Sequence, residues 1–152
     1  MRKNVMMVMV GVLFLAASVV FSQSASSAGE KKGKVWVKVS GFQNETGAAK
    51  IGLCDSSACF QNSEEKAIFN TTVNIAGGRA EHIFTGVPYG TYAVTVYHDE
   101  NANGKLDKGT FGKPLERYGF SNNARGVLSR PAYEKAAFEL DRHEITISVT
   151  VK

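Results

Sequence analysis

The sequence predicts an all-β domain: a two-sheet β-sandwich, immunoglobulin-like or transthyretin-like in style, with about seven strands and one long ordered loop. Three observations predict it. Apolar and polar residues alternate with a period of two in separate runs, and glycine- or proline-bearing turns fall between them. Beyond the N-terminal apolar run, no segment keeps helical spacing over about ten residues. At 152 residues and 43% hydrophobic, the chain has the content of one globular domain rather than a disordered one.

The elements follow in order. Arg2 and Lys3 precede an uncharged apolar run from Val5 to Phe21, and small polar residues take over from Ser22 to Ala28. A positive end, an apolar middle and a small-residue zone make a secretory signal peptide. Residues 1–28 are therefore assigned to the signal peptide and residues 29–152 to a single β-sandwich domain. Ser26 and Ala28 suit a cut before Gly29, while Val20 and Ser22 offer an earlier one. A retained anchor is the alternative, although the run is short for a bilayer span. The expected location is periplasmic or extracellular, with no stable membrane insertion after cleavage.

Cleavage removes Arg2 and Lys3 and no acidic residue, halving a net charge of +4. Lys31, Lys32, Lys34 and Lys38 then form a solvated basic leader. With so modest a charge and no recognition helix, nucleic acid is not an expected partner.

Strand signals begin at Val35, Val37 and Val39, which alternate with Trp36 and Lys38. Tyr92, Val94 and Val96 repeat the pattern, as do Ile145, Ile147, Val149 and Val151 near the end. Such alternation turns one face of a strand to the core and the other to water. Weaker candidates span 49–54, 67–75, 79–84 and 136–140. Ala76-Gly77-Gly78 predicts a hairpin, Val87-Pro88-Tyr89-Gly90 a turn, and Asp141-Arg142-His143 a closing hairpin. Between Tyr97 and Ala136 no clear strand is visible. The aromatic content of that interval points to an ordered excursion packed on one end of the sandwich.

The excursion opens with His98-Asp99-Glu100-Asn101-Ala102-Asn103-Gly104-Lys105-Leu106-Asp107. Oxygen-bearing side chains at Asp99, Asn101, Asn103 and Asp107, with glycine at 104, match the first nine positions of an EF-hand-type calcium loop. A hard cation takes six to eight oxygens at about 2.3–2.6 Å, and the Lys105 carbonyl would supply one of them. Position twelve is Thr110 instead of glutamate, and no helices flank the loop, so this is not an EF-hand. The remaining ligand would be Glu100, Glu116, a carbonyl or water. The competing account is a turn whose Asn and Asp side chains bond their own backbone. Any calcium affinity is expected near the weak extracellular range of about 10⁻⁴–10⁻³ M, and no other cofactor is expected.

The motif run from Tyr92 through His98–Asp107, Phe111-Gly112-Lys113-Pro114, Glu116 and Tyr118-Gly119-Phe120-Ser121-Asn122-Asn123-Ala124 resembles the bacterial exported family called domain of unknown function 2141. The resemblance extends from about Val35 to Val151. It implies a small secreted or periplasmic β-sandwich and no established activity, so no catalytic residue is carried over. Cys54 and Cys59 depart from that pattern. In an exported chain, with four residues between them, they are expected to form a disulfide rather than two free thiols or a metal pair.

His82, His98 and His143 lie on separate segments without zinc-hydrolase spacing. His98, Asp99 and Ser121 form the only hydrolase set the sequence offers, the most remote of the functional readings. The leading expectation is a non-catalytic exported module. Its contact surface is the 98–131 end, where exposed Tyr118, Phe120 and Tyr133 would meet an envelope protein or carbohydrate. The alternative is a sheet edge that pairs with a partner strand.

Overall fold

The computed structural model describes residues 29–127 and 129–152, so the expected signal peptide, residues 1–28, lies outside the described residues. The strands are β1 (Lys32–Ser40), β2 (Ala48–Cys54), β3 (Phe69–Val73), β4 (Arg79–Pro88), β5 (Gly90–Asp99), β6 (Tyr118–Phe120), β7 (Phe138–Leu140) and β8 (Glu144–Thr150). Three short helices interrupt them: α1 (Ser57–Gln61), α2 (Ser63–Lys66) and α3 (Tyr133–Ala136).

One sheet has the order β4-β1-β8. The other has the order β3-β2-β5-β6, with β7 also paired to β5. Strand β1 is antiparallel to β4 and parallel to β8. Its Val35, Val37 and Val39 are buried, while Trp36 and Lys38 face outward. The valines pack in one core with Ile51, Leu53, Val94, Val96, Ile147 and Val149 from the other strands. Each such side chain contributes about 1.5–3 kcal/mol by leaving water.

The second sheet is covered on both faces. Strand β5 is buried without interruption from Tyr92 to Val96, so its alternation does not separate a wet face from a dry one. Ala93 on its outer face joins a second cluster with Cys54, Cys59, Phe60, Phe120, Ala124 and Ala136. Helices α1–α3 carry part of this cover. The Cys54–Cys59 disulfide, with Cα atoms 5.5 Å apart, ties the end of β2 to α1. Ser56 caps that helix by accepting the Cys59 N–H at 3.4 Å.

Two expected hairpins are not hairpins of a sheet. At Ala76–Arg79 the tight turn forms, with Gly77 and Gly78 at φ +59° and +69°, a conformation that glycine enters freely. It joins β3 to β4, which belong to different sheets. Likewise, Asp141-Arg142-His143 leads from β7, paired with β5, to β8, paired with β1. Turn residues announce a reversal of the chain but not whether it stays within one sheet or crosses to the other. The long interval also needs correction. It contains β6, which pairs antiparallel with Thr95–Tyr97 and brings the strand number to eight. Three residues are too few to show a period in sequence.

Candidate functional site

Strand β5 ends at Asp99, where the chain leaves the sheet. Gly47, at φ +71°, lies against this point, and a Cβ there would collide with the Asp99 carbonyl. The Asp99 side chain is 1% exposed. Its Oδ1 accepts the Asn103 N–H at 3.0 Å and its Oδ2 the Gly104 N–H at 2.9 Å. Asn101 Oδ1 accepts the Asn103 N–H at 3.1 Å, and Asn103 Oδ1 accepts the Lys105 N–H at 2.8 Å. Each short side chain thus bends the backbone around itself, as Asx turns do.

The heads of these side chains converge on Asp107. Asn101 Nδ2 donates to its Oδ2 at 2.7 Å, and Asn103 Nδ2 donates to its Oδ1 at 2.9 Å. Two carboxamide nitrogens therefore face one carboxylate, Asp107, while Asp99 holds the backbone N–H groups of Asn103 and Gly104. The Lys50 ammonium stands 3.9 Å from Asp99 Oδ2. Among the described residues there is no group of three or more His, Cys, Asp or Glu side chains placed to hold an ion. The set would therefore depend on its asparagines and on backbone oxygen.

Glu116 closes the loop. It is 8% exposed, and its Oε1 accepts the Glu100 N–H while Oε2 accepts the Asp107 N–H, both at 2.9 Å. The carboxylate thus latches the two ends of the cation-loop motif together. Thr110, at the twelfth position, is exposed. The Tyr97 hydroxyl donates to the Gly104 carbonyl at 2.9 Å. Burial pushes its pKa up to about 12, helped by the charges of Glu64, Asp99 and Glu116.

Beside the loop lies a groove of about 870 Å³, whose walls include Leu106, Lys108, Phe111, Tyr118, Phe120 and Arg130. Phe111 is 103% exposed and sits at φ +62°, a strained backbone for a bulky residue. Val127, also lining the groove, is 97% exposed. Arg130 Nη1 donates to the Phe60 carbonyl and, at 3.0 Å, to Ser63 Oγ, and its guanidinium lies 5.3 Å from the Phe120 ring centroid. Burial lowers its pKa, and Glu64 acts in the opposite sense. Lys108 pairs with Glu64 at 3.8 Å.

The expected trio of exposed aromatics is not what the structure presents. Phe120 is 3% exposed and belongs to the core beneath the groove, where it packs against Phe60. Tyr118 is half-buried beside it. Tyr133 is also half-buried; it packs on Phe60, donates its hydroxyl to the Thr91 carbonyl and takes no part in lining the groove. The exposed aromatic is Phe111, which in sequence appears only as one more apolar residue covering the sandwich. Its polar setting, Lys108-Gly109-Thr110 before and Gly112-Lys113 after, is the one signal that could have marked it.

The hydrolase set is not assembled. His98 is fully buried, with Nε2 2.7 Å from the Thr46 carbonyl. Ser121, also fully buried, accepts the Val94 N–H at 2.8 Å and donates to the Ala136 carbonyl at 2.6 Å. Val94 lies four residues before His98 on β5, about 13 Å along a strand. Ser121 serves instead to fasten β5 to the segment before β7. For the sheet-edge alternative, the strand order leaves β4 and β8 flanking one sheet and β3 at an edge of the other.

A family model described as "Uncharacterized protein conserved in bacteria (DUF2141)" matches residues 37–148. The chain belongs to the DUF2141 family. No curated protein and no solved structure matches it. The span shared with DUF2141 includes the Asp99–Asp107 loop, the Glu116 latch and the groove, as well as both cysteines. Among the described residues of this DUF2141 chain, no helix is long and apolar enough to cross a membrane.

Proposed function

We propose that the chain is an exported, non-catalytic binding module whose contact end is the groove beside the Asp99–Asp107 loop. Calcium held by that loop fixes the shape of the end. One observation carries this proposal: the convergence of Asn101 and Asn103 on Asp107, in a loop whose Leu106 and Lys108 also line the groove. Closing the loop and shaping the groove are therefore one event. Asp99, Asn101, Asn103, Asp107 and the Lys105 carbonyl would hold the ion, which would neutralise the two carboxylates that otherwise repel.

The partner is a peptide segment of an envelope protein rather than a neutral carbohydrate. The groove combines fully exposed apolar side chains, Phe111 and Val127, with charges of both signs at Glu64, Glu65, Lys108 and Lys113. Export is supported by the bonded cysteine pair and by the signal-like N-terminus. The test is capture from envelope extract with calcium present, comparing the native chain with the double variant Phe111→Ala, Val127→Ala. A protein retained by the native chain and lost from the variant is the expected result. Equal capture by both would refute the groove as contact site.

A further inference from the structure

Asn103-Gly104 is the only Asn-Gly step in the chain, and it sits at the tip of the loop. Both residues are exposed. Gly104 has φ +80°, and nothing lies within 4 Å of where a Cβ would be; with no side chain of its own, glycine shields its nitrogen least. Three of the hydrogen bonds at the pair involve the reacting groups. The Gly104 N–H points at Asp99 Oδ2, 2.9 Å away. The Asn103 side-chain carbonyl accepts the Lys105 N–H at 2.8 Å. The Asn103 amide nitrogen faces Asp107 Oδ1 at 2.9 Å.

We infer that Asn103 is a self-modifying site, at which the loop converts its own carboxamide to a carboxylate. The Gly104 nitrogen attacks Asn103 Cγ while Asp99, a positioned base, takes its proton. The Lys105 N–H stabilises the negative charge that develops on Oδ1, as an oxyanion donor does. The bond from Cγ to Nδ2 then breaks, and the proton held by Asp99 leaves with that nitrogen as ammonia. A cyclic imide remains. Water opens it, giving aspartate or its β-linked isomer at position 103. The balance is amide plus water to acid plus ammonia, with no other reactant.

The product changes the loop's chemistry. It places a third carboxylate beside Asp99 and Asp107, in a site whose affinity for a hard cation rises with ligand charge. This consequence, unlike the modification itself, rests on the calcium-holding role proposed above. Freshly made protein would bind weakly and aged protein more tightly, a timer set by the sequence.

The test is incubation of the mature chain in mildly alkaline buffer, with calcium or with chelator, followed by peptide mapping for the mass change of an amide-to-acid exchange. Asn103 is expected to convert ahead of Asn62, Asn70 and Asn101, and Asp99→Asn is expected to slow it. Conversion no faster than at the other asparagines would overturn the inference. So would an unchanged rate in an Asp99→Asn chain that melts normally. Should that variant not fold, the pH dependence of the native chain decides. A rate strictly proportional to hydroxide concentration would mean that Asp99 is not the base. Calcium is expected to slow conversion by engaging Asp99 and Asn103. Equal rates with and without it would overturn the calcium role and leave the modification standing.

Discussion

Replacing Glu116 by alanine removes the latch from both ends of the loop. The Glu100 and Asp107 N–H groups, each bonded at 2.9 Å to this carboxylate, lose their acceptors together. A hydrogen bond to a charged group contributes about 1.5–3 kcal/mol, so the two give a loss of roughly 3–6 kcal/mol. Against a total of about 5–15 kcal/mol for a domain, that is a large share. At about 3–6 °C per kilocalorie, melting should fall by at least about 10 °C. Glu116→Gln keeps one acceptor and should lose about half as much. Thermal melting measures the cost, and amide hydrogen exchange at Glu100 and Asp107 assigns it to the loop. A Glu116→Ala chain that melts within a degree or two of the native one, with those amides still protected, would refute the latch.

Three further outcomes follow from the same contacts. Reducing the Cys54–Cys59 bond, which encloses a short loop, should cost about 2 kcal/mol of stability; quantitative alkylation without reductant would show instead that the bond is absent. Ser121→Ala strands the Val94 N–H and the Ala136 carbonyl, so denaturant melts should show a loss of about 2–4 kcal/mol. An esterase assay on the same variant should give no change from native. Tyr97, held up to about 12, keeps its proton more tightly folded than unfolded. Its contribution is therefore complete below the ordinary tyrosine value of about 10 and is lost as pH rises through 12. Ultraviolet titration of the five tyrosines should show a last ionisation near 12, and Tyr97→Phe should remove that step.

The sequence disclosed the sandwich because the three alternating runs, at Val35, Tyr92 and Ile145, became β1, β5 and β8. It disclosed the loop because ligand-type residues at fixed spacing form local Asx bonds, which depend on near neighbours alone. Pairing was not legible. The turns at Gly77-Gly78 and Asp141–His143 are local, whereas the choice between one sheet and two is made by contacts far along the chain. Glu116 was legible only as one of several candidates, since its role depends on a fold-back that places it beside Glu100 and Asp107. The reversed exposure of Phe120 and Phe111 has the same origin. Which aromatic is buried is decided by β6 pairing with β5 and by Phe60 arriving from α1, and neither is written near residue 120.

The proposed role turns most directly on whether the loop takes calcium and orders the groove. Amide NMR of the mature chain, titrated with calcium, reads both at once. Saturable shifts at Asp99, Asn101, Asn103, Gly104 and Asp107 are expected in the range of about 10⁻⁴–10⁻³ M, with Lys108 and Phe111 following at the same midpoint. At ten times the dissociation constant the ion should add about 1.4 kcal/mol of stability. Asp107→Asn should abolish both effects. A spectrum unchanged at millimolar calcium, or loop shifts that never reach Lys108 and Phe111, would contradict a calcium-shaped contact end.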